Sequence, residues 1–144
     1  MRFLVFIVII AMANSSCQSG GGLPTVVSSP PKADTAILNQ AYTQYKESSI
    51  THRRFKHADV EQLVLTHQAS GVLQVEEIGR SVLGKSIYEL QYGQGAKKVM
   101  LWSQMHGNEP TATMALLDLF NFFEGEGDGL DSVRNLIKEK TTLH

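Results

Sequence analysis

The sequence predicts an α/β fold in which a mixed central β-sheet is flanked by helices. Three observations lead to that class. They are helical periodicity after residue 33, two short alternating segments between residues 72 and 92, and a strand–loop–helix unit from Lys97 to Phe123. Loops that follow strands carry the chemistry in open α/β sheets, so the third unit is the first place to look for a functional site.

The composition is that of an ordinary globular protein with at most one domain. The chain has 144 residues, of which 42% are hydrophobic and 19% are charged, and its net charge is −1. Proteins that attract nucleic acid or anionic lipid through their overall field carry a clear basic excess, which this sequence does not have. We therefore expect no nucleic-acid partner and no electrostatic binding to a lipid surface.

Residues 1–16 resemble a bacterial lipoprotein signal peptide. Arg2 supplies the positive start, and the apolar run from Phe3 to Ala13 is too short to cross a bilayer as a stable helix. Ala11-Met12-Ala13 would also serve an ordinary signal peptidase, and Asn14 stands where lipoprotein signals usually have an aliphatic residue. A lipoprotein signal and an ordinary signal peptide both predict export. The lipoprotein signal further predicts a lipid-anchored membrane protein of the bacterial cell envelope.

Cys17 is the predicted lipid attachment site. It is the only cysteine, so it cannot close an internal disulfide, and the alternative is a free thiol at the mature N-terminus. The stretch that follows is rich in Gly, Ser and Pro, which predicts a flexible linker over residues 17–32. Residues 33–144 remain for the folded part.

Two helices are predicted before the first strand. The first is amphipathic and runs from a cap at Asp34 to about Tyr45, on the surface of the domain. The second begins at Asp59, which resembles the start of a capping box, and ends at Gly71. His67 falls on the apolar face of the second helix, so we expect it to be packed rather than to bind a metal.

The segment between these helices, Thr51 to His57, is basic and contains one aromatic residue. A phosphate or nucleic-acid patch is one interpretation of this pattern. With so few charges, a solvated surface is the favoured one.

The next segments predict strands. Alternation from Val72 to Ile78 and from Ser86 to Tyr92 indicates an antiparallel hairpin. The turn at Gly93-Gln94-Gly95 is too short for a crossover helix, so the segment Val99–Ser103 is expected to pair antiparallel with its predecessor. Its nearly continuous apolar character predicts a central strand that is covered on both faces.

Two further helices and a strand complete the expected order. Pro110 belongs in the first turn of a helix, which should start near Asn108 or Glu109 and be largely buried. The acidic, Gly-rich loop after it lacks the ligand ladder of a calcium site and is expected to be solvated. A short helix capped at Asp131 or Ser132 should turn three apolar residues inward, before a strand that starts near Thr141. These inward residues are Val133, Leu136 and Ile137.

His106 and Glu109 are the candidate metal ligands. Imidazole nitrogen and carboxylate oxygen both bind zinc, and Gly107 would allow a sharp turn that brings the two side chains together. The plain alternative is an acidic residue favoured near a helix N-terminus beside a locally hydrogen-bonded histidine. The pattern H-x-x-E occurs often by chance, and its context decides between the two.

That context resembles the zinc carboxypeptidase family. The run GRSVLGKSIYEL, followed by KVMLWSQMHGNEPTATMAL, is similar to the N-terminal part of these enzymes, over about half of the chain. In the family, a hairpin motif that matches Gly79, Ser81, Gly84 and Lys85 precedes an H-x-x-E loop. The resemblance implies a zinc carboxypeptidase-like fold in residues 33–144.

The resemblance also implies residue roles and a reaction. His106 and Glu109 would be zinc ligands. The HGNE form is similar to the regulatory branch of the family, and Asn108 occupies the position at which the digestive branch has an arginine that helps to hold substrate, so Asn108 would contact substrate. Zinc would activate a water that cleaves C-terminal residues from peptides with a free C-terminus. The family's third zinc ligand, carboxylate-binding arginine and catalytic glutamate would lie beyond His144, so no catalytic residue is expected within this chain.

We therefore expect an incomplete sequence. His144 lies too early to be the family's third zinc ligand. A catalytic zinc site normally has three protein ligands. The 144-residue chain alone should then neither hydrolyse peptides nor bind zinc tightly.

Two other functions remain open at this point. The related aspartoacylases and succinylglutamate desuccinylases use an HGNE-like loop to cleave small N-acyl amino acids. They resemble this chain less, because the hairpin motif and the export signal favour a peptidase outside the cytoplasm. A surface lipoprotein that binds peptides without cleaving them is the non-enzymatic alternative.

Overall fold

The computed structural model describes residues 35–144, and within them four helices and four strands form a small mixed α/β fold. The predicted signal peptide, the linker, the helix cap at Asp34 and the lipid attachment site Cys17 lie outside the described residues. No helix in residues 35–144 has the length and apolar character needed to span a membrane. In chain order the elements are α1 Thr35–Tyr45, α2 His57–Ser70, β1 Gln74–Arg80, β2 Ser86–Gln91, β3 Lys97–Val99, α3 Thr111–Glu124, α4 Asp131–Lys140 and β4 Thr141–Leu143.

The two N-terminal helices agree with the periodicity of the sequence. Helix α1 has no fully buried residue, which confirms its surface position. Helix α2 begins at His57, two residues before the predicted start at Asp59. Lys56 is its N-cap, and the Asp59 carboxylate accepts a hydrogen bond from the Lys56 backbone N–H at 2.7 Å. It ends at Gly71 as predicted, because Gly71 adopts a left-handed conformation with φ 72°.

The predicted hairpin is confirmed. Strands β1 and β2 pair antiparallel from Gln74 opposite Gln91 to Arg80 opposite Ser86, with an irregularity between Glu77 and Gly79. The tight connection is closed by a hydrogen bond from the Ser81 N–H to the Lys85 carbonyl at 2.8 Å.

The expected antiparallel pairing of the next strand is wrong. Strand β3 pairs in parallel with β4 instead, and β4 is bridged on its other side to Tyr92, just after β2. The reason lies in the turn at residues 93–95, where Gly95 donates to the Thr141 carbonyl at 2.9 Å. A Cβ at Gly95 would overlap the backbone of Lys140 and Thr141, so only glycine allows this close approach. The start of β4 thereby takes the place that a direct β2–β3 pairing would need.

The core lies between the sheets and α3. Leu73, Tyr92 and Phe123 form its buried centre, and the Tyr92 and Phe123 rings stack with centroids 4.0 Å apart. Burial raises the pKa of the Tyr92 phenol, because it disfavours the charged form. Partly buried residues complete the core: Val75, Leu90, Leu119, Phe120, Phe122, Ile137 and Leu143.

The segment after β3 is not the covered central strand that its apolar character predicts. Regular pairing ends at Val99, and the side chains of Met100 and Trp102 are 70% and 58% exposed. They form one wall of an apolar cleft of about 830 Å³ between α2, β2 and α3. The apolar character of residues 99–103 predicts burial, but no segment among residues 35–144 covers this face, so the side chains of Met100 and Trp102 stay exposed.

Helix α3 begins at Thr111, with Pro110 as its N-cap at φ −75°, slightly later than expected. Three of its residues are fully buried: Thr113, Leu117 and Phe123. The narrow polar stripe of α3 forms hydrogen bonds within the protein. The Asp118 carboxylate accepts one from the Glu47 N–H at 2.7 Å, and the Asn121 amide donates one to the Tyr45 carbonyl at 3.2 Å. These contacts attach the end of α1 to α3.

The predicted orientation of helix α4 is wrong. Val133 and Leu136 were expected to point inward, yet both are exposed, and the buried residue of this helix is Arg134. Only Ile137 of the three predicted residues packs against the core. Charge pairing with the preceding loop reverses the orientation that hydrophobicity alone predicts.

Candidate metal centre

The segment that carries His106 is fixed at both ends. After β3, the Leu101 N–H donates to the His144 carbonyl at 2.7 Å, which continues the contact with β4. Farther on, the Thr113 hydroxyl at the start of α3 donates to the Ser103 hydroxyl at 3.0 Å. Residues 104–109 therefore connect two anchored points, so the position of the turn is set by β3 and α3.

A turn from His106 to Glu109 brings the two candidate ligands together. The Glu109 N–H donates to the His106 carbonyl at 3.0 Å, and the side chains meet with His106 Nδ1 3.1 Å from Glu109 Oε2. Gly107 does not have the positive φ that only glycine adopts easily. Gln104 has it instead, with φ 58°, so the unusual backbone of this loop precedes the histidine.

The donor geometry fits a small cation. Zinc binds nitrogen and oxygen ligands at about 2.0–2.1 Å, so two ligands of a tetrahedral site lie roughly 3.3 Å apart. The observed 3.1 Å between His106 Nδ1 and Glu109 Oε2 is close to that value. The side chains are 66% and 68% exposed, which leaves them accessible to an ion from solvent. The same distance also suits a hydrogen bond between them.

The part of the chain that the structure describes supplies no third ligand. Within residues 35–144 there is no group of three His, Cys, Asp or Glu side chains placed to hold one metal ion. His144 contacts Glu89 instead, with Nδ1 2.6 Å from Oε1. Asn108, the candidate substrate contact, is exposed in the turn and lines a cleft beside it.

His67 is packed inside the protein. Its ring is buried, lies edge-on against Phe120 and has Nδ1 2.8 Å from Glu124 Oε1. The Ser70 hydroxyl donates to the same carboxylate oxygen at 2.6 Å, while His67 Nε2 has no hydrogen-bond partner among residues 35–144. This arrangement joins α2 to the end of α3. The position of His67 could be predicted from the helix period, but its partner Glu124 is 57 residues away and could not.

Sequence reasoning missed a buried ionic network around Arg134. The guanidinium binds both oxygens of Asp128, at 2.6 and 2.8 Å, and also Asp131 at 2.8 Å. It donates further to the Phe122 carbonyl and the Tyr45 hydroxyl, both at 2.6 Å, and Tyr45 in turn donates to Asp128. The side chains of Arg134 and Asp128 are only 4% and 8% exposed. The loop expected to be solvated therefore contributes a buried carboxylate.

This network shifts the acid–base equilibria of its members. Hydrogen bonds from Arg134 and Tyr45 hold the pKa of the Asp128 carboxyl well below its usual range. The hydrogen bond to Asp128 raises the pKa of Arg134 further, and burial together with the bond to Asp128 raises the pKa of the Tyr45 phenol. The shifts of Asp128 and Arg134 favour the charged forms of both groups, and the shift of Tyr45 favours its neutral phenol, so the ion pair and the phenol that donates to it are maintained at neutral pH.

Comparison with known proteins adds no assignment. No protein family model matches this chain, and no curated protein is significantly similar to it.

Proposed function

We propose that this protein is a zinc-dependent metallocarboxypeptidase, an exported hydrolase that removes C-terminal residues from peptides. The observation that supports the proposal best is the His106–Glu109 turn, whose two donor atoms lie 3.1 Å apart on an accessible loop after a strand. The order of the hairpin motif and this loop in the sequence supports it further. The proposal includes a lipid anchor at Cys17 and a peptide substrate with a free C-terminus.

The roles of the chain's own residues follow from their positions. His106 and Glu109 would hold zinc, and the contacts of Leu101 with His144 and of Thr113 with Ser103 keep their turn in place. When bound, zinc supplies a Lewis acid and a water of lowered pKa. Asn108, exposed between the two ligands, would contact the substrate.

Two protein donors are one fewer than a catalytic zinc site normally has. Complete structural zinc sites bind with about 10–16 kcal/mol, so we expect two donors to give a dissociation constant weaker than about 1 µM. We also expect no peptide hydrolysis by the 144-residue chain alone. Tight stoichiometric zinc binding together with peptidase activity would contradict this account.

Metal titration followed by calorimetry tests the assignment of the ligands. Zinc binding should be lost in His106→Ala and in Glu109→Ala. The matched control is His144→Ala, because His144 also contacts a glutamate, Glu89, and is partly exposed. Binding that survives in His106→Ala but disappears in His144→Ala would place the metal at the wrong pair and overturn the proposal.

A further inference from the structure

The cleft beside the His106–Glu109 turn contains two arginines that come from a distant part of the sequence. It has a volume of about 570 Å³ and is lined on one side by residues of the turn and the start of α3, including Asn108, Glu109 and Pro110. The other side is formed by Arg53, Arg54 and Phe55, which precede α2. The basic segment that the sequence places on a solvated surface therefore lines the same cleft as Glu109, one of the two candidate metal ligands.

The two guanidinium groups are available to bind a ligand. Arg53 and Arg54 are exposed, and neither side chain forms an ion pair or hydrogen bond with any residue in the range 35–144. By contrast, Arg80 and Arg134 both have carboxylate partners. An arginine without a partner binds a carboxylate well, because its planar fork can donate two parallel hydrogen bonds.

The lining of the cleft favours a particular ligand. Two guanidinium groups and one carboxylate, that of Glu109, line the cleft, so the charged groups of the lining are positive in excess and suit an anionic ligand. Phe55 and Pro110 add apolar surface on which a short aliphatic stem can pack. A glutamate or aspartate side chain combines these properties, with methylene groups that end in one carboxylate.

We propose that Arg53 and Arg54 form a subsite that selects peptides with an acidic side chain next to the bond held at the His106–Glu109 turn. This inference rests on the proposed function, because the turn must be the place where peptide binds. It adds a determinant of specificity that lies outside the H-x-x-E loop. The carboxylate recognised belongs to a side chain and not to the peptide's C-terminus.

The test is an NMR titration of the ¹⁵N-labelled chain with three short peptides, which detects weak binding. One peptide contains glutamate and has an amidated C-terminus, the second replaces glutamate by glutamine, and the third is the glutamine peptide with a free C-terminus. We expect the glutamate peptide to shift the Nε signals of both arginines and the amide of Asn108. It should bind about fivefold more tightly than the amidated glutamine peptide, as expected for exposed ion pairs. This preference should largely vanish in high salt.

Variants separate the subsite from a general charge effect. Arg53→Gln and Arg54→Gln should each reduce the preference for glutamate, while Lys85→Gln, an exposed cation in the hairpin turn, should leave it unchanged. Equal binding of the two amidated peptides would overturn the inference, and so would a preference that persists in both arginine variants. Tighter binding of the free-acid glutamine peptide than of the glutamate peptide would also overturn it, since the arginines would then recognise a C-terminus.

The two proposals can fail separately. His106→Ala should abolish zinc binding and retain the preference for glutamate, since the arginines are untouched. Zinc binding at the turn without a preference for glutamate would overturn the subsite alone. A preference for glutamate without zinc binding at the turn would overturn the metal site and leave an anion-binding cleft.

Discussion

The Arg134 network and the His106–Glu109 turn show two uses of paired charges in one small protein. Both rest on contacts of about 3 Å, but the Arg134 and Asp128 side chains are almost fully buried, whereas His106 and Glu109 are about two-thirds exposed. Arg134 binds five acceptor atoms from α1, α3, α4 and the loop before α4. His106 contacts a single carboxylate within its own turn.

The two regions differ in whether a ligand from solvent can replace one partner of the charged pair. In the buried network, every donor of Arg134 is satisfied by the protein, so a ligand would have to displace one of these partners. In the turn, solvent already reaches both side chains, so an ion can replace the His106–Glu109 contact without disturbing the fold. We therefore propose that the first region serves stability and the second serves ligand binding, and the following substitutions test that division.

Replacement of Arg134 should have the largest effect. Arg134→Ala leaves Asp128 buried without its partner and should lower the free energy of unfolding by about 3–5 kcal/mol. Chemical denaturation followed by circular dichroism measures this change. Arg80→Ala removes an exposed pair with Glu77 and should change stability by less than about 1 kcal/mol. If the two substitutions had equal effects, the buried network would not be a stabilising element.

Acid should weaken the same network. The pKa of Asp128 is lowered in the folded state, so its contribution is present above the unfolded pKa of about 3.9 and is lost as the pH falls below it. Asp128→Asn should therefore be less stable than wild type at neutral pH, and the gap should narrow on acidification. Denaturation at several pH values measures it. Glu76→Gln, at an exposed carboxylate, is the control, and a gap that stays constant with pH would contradict the assignment.

The strained loop before His106 should gain stability from glycine. Gln104 has a left-handed backbone, which costs a residue with a side chain about 1–2 kcal/mol. Gln104→Gly relieves this strain but increases the entropy of the unfolded chain, so the net gain should be about 0.5 kcal/mol. Thermal unfolding detects the change. A lower melting temperature would mean that the Gln104 side chain stabilises the loop.

Removal of the candidate ligands should have the smallest effect on stability. His106→Ala and Glu109→Ala each break one exposed contact and should change the free energy of unfolding by about 0.5 kcal/mol or less. Both should nevertheless lose zinc binding. A large loss of stability in either variant would show that the turn belongs with the structural network and would remove the contrast between the two regions.

Local signals in the sequence predicted much of the fold. Gly71 marks the end of α2, Pro110 marks the start of α3, and the alternating segments form the expected hairpin. These features could be predicted because helix caps, periodicity and tight turns depend on residues only a few positions apart. The His106–Glu109 pair was predictable for the same reason, since one turn contains both side chains.

Features that depend on distant residues could not be predicted. Helical periodicity predicted that Val133 and Leu136 point inward. Arg134 is buried instead, because its hydrogen bonds to the acidic loop offset the cost of burying its charge. The antiparallel expectation for β3 failed because it considered only the preceding strand, and β4 had no signal to mark it as the partner. Nor did the sequence indicate that Arg53 and Arg54 lie beside Asn108.

The parallel pairing of β3 with β4 also has a consequence for the order of folding. Lys98 and Thr142 are 44 residues apart, and α3 and α4 lie between them, so this contact closes a long loop. Contacts of that kind form slowly compared with the β1–β2 hairpin, which needs only a short turn. The H-x-x-E turn lies inside this loop and can form early by itself. Because the Leu101 N–H is held by the His144 carbonyl, just after β4, we expect the direction of the turn relative to Arg53 and Arg54 to be fixed only after β4 has docked.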